Sequence, residues 1–207
     1  HLYLKVFDLN GVLLSKDEKG FHWEENTDFG GESVKMSKYV AEDECFFGLG
    51  DKTVAQNIRQ HRFSNWNTDE YGYRKGTDPL YKSINFYCAQ STNKSYGIYF
   101  DNSFSAHFDI ARERHDILSF WADGGEMDYY FIGGNNLMEV VHNFHSLSGR
   151  AEMPPMWALG FHQSKWSYTP ESRVKVIAQR FRNEKIPCDV IYLDIDYMDG
   201  YRCFTWN

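Results

Sequence analysis

The 207 residues are 42% hydrophobic, enough for one domain with a substantial core and too apolar for a disordered chain. A net charge of -7 and a pI near 5.6 argue against the basic face that nucleic-acid binders carry. No apolar run approaches a membrane span, and Cys45, Cys88, Cys188 and Cys203 form no CxxC pair, so the expectation is no membrane, no metal or cofactor, and free buried thiols.

The first 130 or so residues have the pattern of β-structure. Leu2, Leu4 and Val6 alternate with Tyr3, Lys5 and Phe7, as a strand with one buried face requires, and Asn10-Gly11 supplies a hairpin turn. Further strands are predicted over 33–41, 81–89, 96–100, 106–110, 117–121 and 127–132. Turn residues separate them at Asn93, Asp101-Asn102 and Gly124-Gly125. Many short strands with regular turns predict a β-sandwich over residues 1–150.

The pattern fails over 62–79, RFSNWNTDEYGYRKGTDP, which is polar and carries four aromatics, Phe63, Trp66, Tyr71 and Tyr73. A loop this long is uncommon unless it is functional or disordered, and the aromatics favour function. A helix follows over 136–148. Leu137, Val140, Val141 and Phe144 share one face, and Gly149 stands where a C-terminal glycine cap belongs.

The character changes at Pro154-Pro155. Residues 157–161 form a short apolar run, predicted as a buried strand. Thr169-Pro170-Glu171 opens a helix with a capping residue, a proline and an acid in the first turn. Val174, Ile177, Ala178 and Phe181 give that helix its apolar stripe, and Ile186-Pro187 ends it. A second apolar strand is predicted over 190–193. Residues 151–207 therefore have the pattern of one βαβ unit. A parallel sheet needs cover on both faces, and a (β/α)8 barrel needs about 250 residues, so the chain is expected to be a fragment that includes the start of such a barrel.

In such barrels working residues cluster at the C-terminal ends of strands. The first end offers residues 161–166, including His162, Lys165 and Trp166; the second offers Asp194, Ile195 and Asp196. Carboxylates accept hydrogen bonds from sugar hydroxyls, and an indole gives a face on which a ring can stack. Each has a structural alternative: either Asp can cap a loop or pair with Arg202, Trp166 can belong to a core, and His162 can be a structural hydrogen-bonding residue. Asp194 and Asp196 are not a catalytic pair. Two positions apart on one strand they face the same side, whereas a retaining glycosidase holds its two carboxyls about 5 Å apart across the scissile bond.

The runs PPMWALGFHQSKWSY and KIPCDVIYLDIDYMDGYRCFTW resemble the opening of the catalytic barrel of glycoside hydrolase family 31. Upstream, FFGLGDK, WNTDEYGY, DPLYKSINFY, YGIYFDNS and FWADGGEMDYYF resemble that family's galactose-mutarotase-like β-sandwich. The resemblance implies a retaining mechanism on α-glucoside oligosaccharides, with the rest of its own barrel as partner. It implies substrate binding by Asp194, which matches the residue that holds hydroxyls of the nonreducing-end glucose. Ile195 matches a residue lining that subsite, and Trp166 an aromatic position beside the next sugar. Asp69, in WNTD, matches an acid on a sandwich loop that touches that second sugar. The family's nucleophile motif, W-x-D-M-N-E, does not occur here. No catalytic residue is assigned, no substrate role is transferred to Asp196, and no compartment follows. An exo-acting α-glucosidase is the first expectation. The alternatives are an α-xylosidase or transglucosylase of the same family, and a non-catalytic carbohydrate-binding module.

Overall fold

The computed structural model describes residues 2–25 and 30–206, and its backbone divides into two compact units, His1–Arg150 and Ala151–Asn207. Among the described residues, the first unit holds two antiparallel sheets. One has six strands in the spatial order β1 (Lys5–Phe7), β2 (Leu13–Glu25), β3 (Glu32–Tyr39), β9 (Ile117–Ala122), β8 (Ala106–Ile110) and β5 (His61–Asn65). The other has four, β10 (Tyr129–Gly134), β7 (Ser95–Phe100), β6 (Ser83–Gln90) and β4 (Cys45–Gly50). Their inner faces meet through aromatic rings. Tyr87 on β6 lies 6.3 Å edge-on from Phe108 on β8, and Phe100 on β7 lies 5.3 Å from Phe120 on β9. These side chains are buried in one apolar core, which makes the unit a β-sandwich.

Strand β6 shows how sequence alternation builds both of its faces. Tyr87 and Ala89 point into the sandwich core, while Phe86 and Cys88 point outward beneath helix α1 (Leu137–Ser148). The helix covers them with the predicted stripe: Val140 is fully buried, and Phe144 stacks on Phe86 at 3.9 Å. Burying a side chain such as Val140 contributes roughly 1.5–3 kcal/mol. Asn136 caps the helix by accepting from the Glu139 N–H at 3.0 Å, and Gly149 follows it at φ 86°.

Four strands departed from the predicted pattern. Strand β1 is limited to Lys5–Phe7, and Leu2 and Leu4, expected on its buried face, are exposed. Strand β2 was hidden because its buried positions are polar: Ser15 and Asp17 face inward, and His22 is buried on the outer face beside Glu24. Asp17 is tolerated there because Lys38 Nζ reaches it at 2.7 Å and the Leu4 N–H donates to it at 2.8 Å. Strand β4 was masked by its glycines; Gly48 stands at φ 125°, and a Cβ there would come within 2.6 Å of the Phe86 carbonyl oxygen. Strand β5 occupies the start of the stretch predicted as loop 62–79, where Phe63 and Asn65 are buried.

In the second unit, β11 (His162–Ser164) and β12 (Val190–Tyr192) pair in parallel and are joined by α2 (Glu171–Asn183), a βαβ connection. The strand predicted over 157–161 is corrected. Residues Met156–Leu159 form a 3-10 turn in which Ala158 N–H donates to the Pro155 carbonyl at 2.9 Å, and pairing begins only at His162. A short apolar run does not by itself distinguish strand from turn. The cap of α2 is Pro170 rather than Thr169, with no side-chain cap bond. The helix also stops earlier than predicted, at Asn183, where Lys185 turns to φ 57°. All four cysteines are free thiols; Cys88 and Cys188 are buried as expected, but Cys203 is exposed.

Candidate functional site

The parallel register His162↔Val190, Gln163↔Ile191 and Ser164↔Tyr192 brings the C-terminal ends of β11 and β12 side by side. The chain leaving β11 carries Lys165, Trp166 and Ser167; the chain leaving β12 carries Asp194, Ile195 and Asp196. Three of the four residues singled out from sequence therefore lie on neighbouring strand ends. Trp166 is 75% exposed and Ile195 47% exposed. Asp194 is exposed, at φ 63°. This left-handed conformation is disfavoured for most residues and tolerated best by Asn and Asp among those with a side chain.

Arg202, the cation considered as a partner for either aspartate, pairs instead with Asp199. Among the described residues no ion pair or side-chain hydrogen bond engages Asp194. Asp196 is engaged: one oxygen accepts from the Ser167 hydroxyl, the other from the Tyr201 hydroxyl at 3.1 Å. That carboxylate pushes the Tyr201 phenol above its ordinary pKa. His162 places Nδ1 3.0 Å from the Tyr192 hydroxyl, a contact between the two strands themselves.

Asp69 lies in the first unit, on the segment between β5 and β6. It is exposed, and its charge helps raise the Tyr81 phenol, whose main cause of shift is partial desolvation. This segment is built rather than loose. At its base Lys52 Nζ reaches Asp78 Oδ1 at 2.6 Å and the Ser64 carbonyl at 3.2 Å, while the Ser64 N–H donates to Asp78 Oδ2 at 2.5 Å. At its tip the Thr53 hydroxyl donates to the Arg74 carbonyl and accepts from the Gly76 N–H, each at 2.9 Å. The Thr68 N–H donates to the Leu80 carbonyl at 2.9 Å, closing the two limbs beside Asp69. Lys52, Asp78, Ser167 and Tyr201 were not singled out from sequence. Their partners are distant in the chain or separated by irregular loop, where no periodicity marks them.

Residues 2–109 match the glycosyl hydrolase 31 N-terminal galactose mutarotase-like domain, and residues 151–207 match the glycosyl hydrolases family 31 TIM-barrel domain. The chain is 39% identical to α-glucosidase 2 of Bacillus thermoamyloliquefaciens, over 99% of this chain and 25% of that protein. It is 30% identical to an α-glucosidase of Saccharolobus solfataricus, over 86% of this chain and 26% of that protein. Among solved structures it resembles a Flavobacterium johnsoniae family 31 dextranase complexed with isomaltotriose, with a TM-score of 0.88 and 42% identity. That match covers 99% of this chain and 24% of the dextranase. The chain spans about a quarter of the length of the curated relatives it matches.

Proposed function

Because the chain belongs to glycoside hydrolase family 31, we propose that it is the N-terminal portion of a retaining, exo-acting α-glucosidase that removes α-linked glucose from the nonreducing ends of oligosaccharides. The observation that carries this reading is the pair of adjacent strand ends, one presenting an exposed indole and the other a carboxylate with no protein partner among the described residues. Asp194 accepts hydrogen bonds from hydroxyls of the terminal glucose, and Ile195 lines the same subsite. Trp166 offers its face to the second sugar. Asp69 contributes a further acceptor toward that sugar.

A retaining reaction needs a carboxylate nucleophile and a carboxylic acid on opposite sides of the glycosidic bond. The W-x-D-M-N-E motif, which carries the nucleophile, does not occur in these 207 residues and no residue in them is assigned as the general acid, so both are proposed to come from the rest of the barrel. What this chain supplies is binding and orientation, which lower the barrier by holding the anomeric carbon where those groups act.

One observation supports a finer reading of linkage. The dextranase holding isomaltotriose shares 42% identity with the chain, and Trp166 is a broad, exposed ring. An α-1,6 bond adds a methylene and a rotatable bond, which lets the second glucose swing out and lay its face on such a wall. Isomaltose-type bonds are therefore proposed to be cleaved at least as well as maltose-type bonds. The test is proton NMR of a family-length enzyme acting on isomaltose and maltose. Early in the reaction α-glucose is expected in excess over the anomeric mixture contributed by the reducing-end sugar; an early excess of β-glucose, or no cleavage of either disaccharide, overturns this reading.

A further inference from the structure

We propose that Asp196 is a positioning residue that fixes the two strand ends against each other, and so sets the distance between the surfaces that receive the first and second sugars. The proposal rests on the substrate-binding roles given above to Asp194 and Trp166.

Asp196 stands two residues after Asp194, and Ser167 directly follows Trp166. One carboxylate oxygen of Asp196 accepts from the Ser167 hydroxyl, which joins the chain leaving β12 to the chain leaving β11. The other oxygen accepts from the Tyr201 hydroxyl at 3.1 Å, which ties the same carboxylate to the short 3-10 turn at Asp199–Tyr201. That turn is itself braced: the Asp199 N–H donates to the Thr205 hydroxyl at 2.9 Å, and Arg202 pairs with the Asp199 carboxylate. The carboxylate is thus a bridge with both oxygens engaged.

Charge matters to the bridge. Asp196 raises the Tyr201 phenol above its ordinary pKa, the direction expected of a hydroxyl that donates to a carboxylate. Hydrogen bonds to an ionised acceptor are shorter and roughly twice as strong as neutral ones. Beyond β11 and β12 the two chains have no mutual backbone pairing, since the ladder ends at Ser164↔Tyr192. Trp166 and Asp194 both lie past that point, so side-chain contacts hold their separation. A displacement of about 1 Å in a positioning group can cost about a hundredfold in rate.

The experiment uses a family-length enzyme with the variants Ser167→Ala, Asp196→Asn, Asp196→Ala and Asp194→Ala, assayed for kcat/KM on isomaltose and on p-nitrophenyl α-glucoside. Ser167→Ala cuts only the link toward Trp166. It is expected to lower kcat/KM on isomaltose about tenfold, chiefly through KM, and to leave the aryl glucoside within threefold. Asp196→Ala should reproduce that loss, and the double variant Ser167→Ala/Asp196→Ala should lose little more than Asp196→Ala alone, because the two residues share one bond. Asp196→Asn keeps the shape and one acceptor, so it should fall between wild type and Asp196→Ala. If Asp196→Ala does not fold, Ser167→Ala and Asp196→Asn still decide the matter. Equal losses on both substrates, or losses under twofold with Ser167→Ala, overturn the positioning role. Asp194→Ala separates this failure from that of the underlying reading: if it too leaves both substrates nearly unaffected, the substrate-binding assignment has failed and not the bridge alone.

Discussion

Lys52→Met should open the segment that carries Asp69. Lys52 and Asp78 have side chains only 3% and 15% exposed, and their charges sit 2.6 Å apart. Removing one partner of a buried ion pair typically costs about 3–5 kcal/mol, because the other charge remains buried. Asp78 keeps the Ser64 N–H and a little solvent, so the low end, about 3 kcal/mol, is the appropriate figure. This penalty can be relieved locally by letting the segment swing out and hydrate Asp78. The assay is limited trypsin digestion. Arg74 and Lys75 are exposed side chains whose backbone is pinned: the Arg74 carbonyl accepts from Thr53, and the Gly76 N–H donates to it. Cleavage after either residue needs the segment to unfold. At about 1.4 kcal/mol per decade, 3 kcal/mol raises cleavage roughly a hundredfold when opening is in rapid equilibrium. The double variant Lys52→Met/Asp78→Asn should recover most of the protection, since no buried charge is left unpaired. A cleavage rate for Lys52→Met within threefold of wild type would refute the reasoning, and would mean that Thr53 and the backbone bonds hold the segment without the ion pair.

The cysteines should label in order of exposure: a maleimide at pH 7.5 should reach Cys203 first and leave Cys88 unmodified until urea unfolds the first unit, because burial pushes the Cys88 thiol up to about 11. Mass spectrometry of tryptic peptides reads this, and early labelling of Cys88 would contradict the packing of α1 over β6. In a family-length enzyme, Trp166→Tyr should shift the kcat/KM ratio toward maltose over isomaltose, and a ratio unchanged within twofold would make the indole a packing residue. Asp69→Ala should weaken both disaccharides while sparing aryl glucosides, which offer no second sugar. The 207 residues alone should release no glucose from p-nitrophenyl α-glucoside; detectable release by the pure chain would contradict the placing of both catalytic carboxylates outside it.

The elements legible in the sequence were those whose burial is apolar and periodic. Strands β6 to β9 alternate around Tyr87, Ile98, Phe108 and Phe120, and α1 carries its stripe at helical spacing, so pattern and packing agree. Strand β2 was illegible because its inward positions hold Ser15 and Asp17, and the burial of Asp17 depends on Lys38, elsewhere in the chain. The 3-10 turn at Met156–Leu159 was misread because an apolar run fits a strand and a turn equally. At the strand ends, sequence located Asp194, Ile195 and Trp166 through the family resemblance, but it left Asp196 without a role. Its contacts run to Ser167, 29 positions back, and to Tyr201 in an irregular turn, pairings that only the folded chain specifies. The same holds for Lys52 and Asp78, 26 positions apart.

The end of β12 is proposed to grip the terminal glucose through Asp194. This grip is tested most directly by kcat/KM on isomaltose for Asp194→Ala against wild type in a family-length enzyme. Charge-assisted hydrogen bonds contribute roughly 1.5–3 kcal/mol each, and a carboxylate holding two hydroxyls reaches or exceeds that range. The predicted loss is at least about a hundredfold. A loss under fivefold, with the circular dichroism spectrum unchanged, would show that Asp194 does no more than shape its loop.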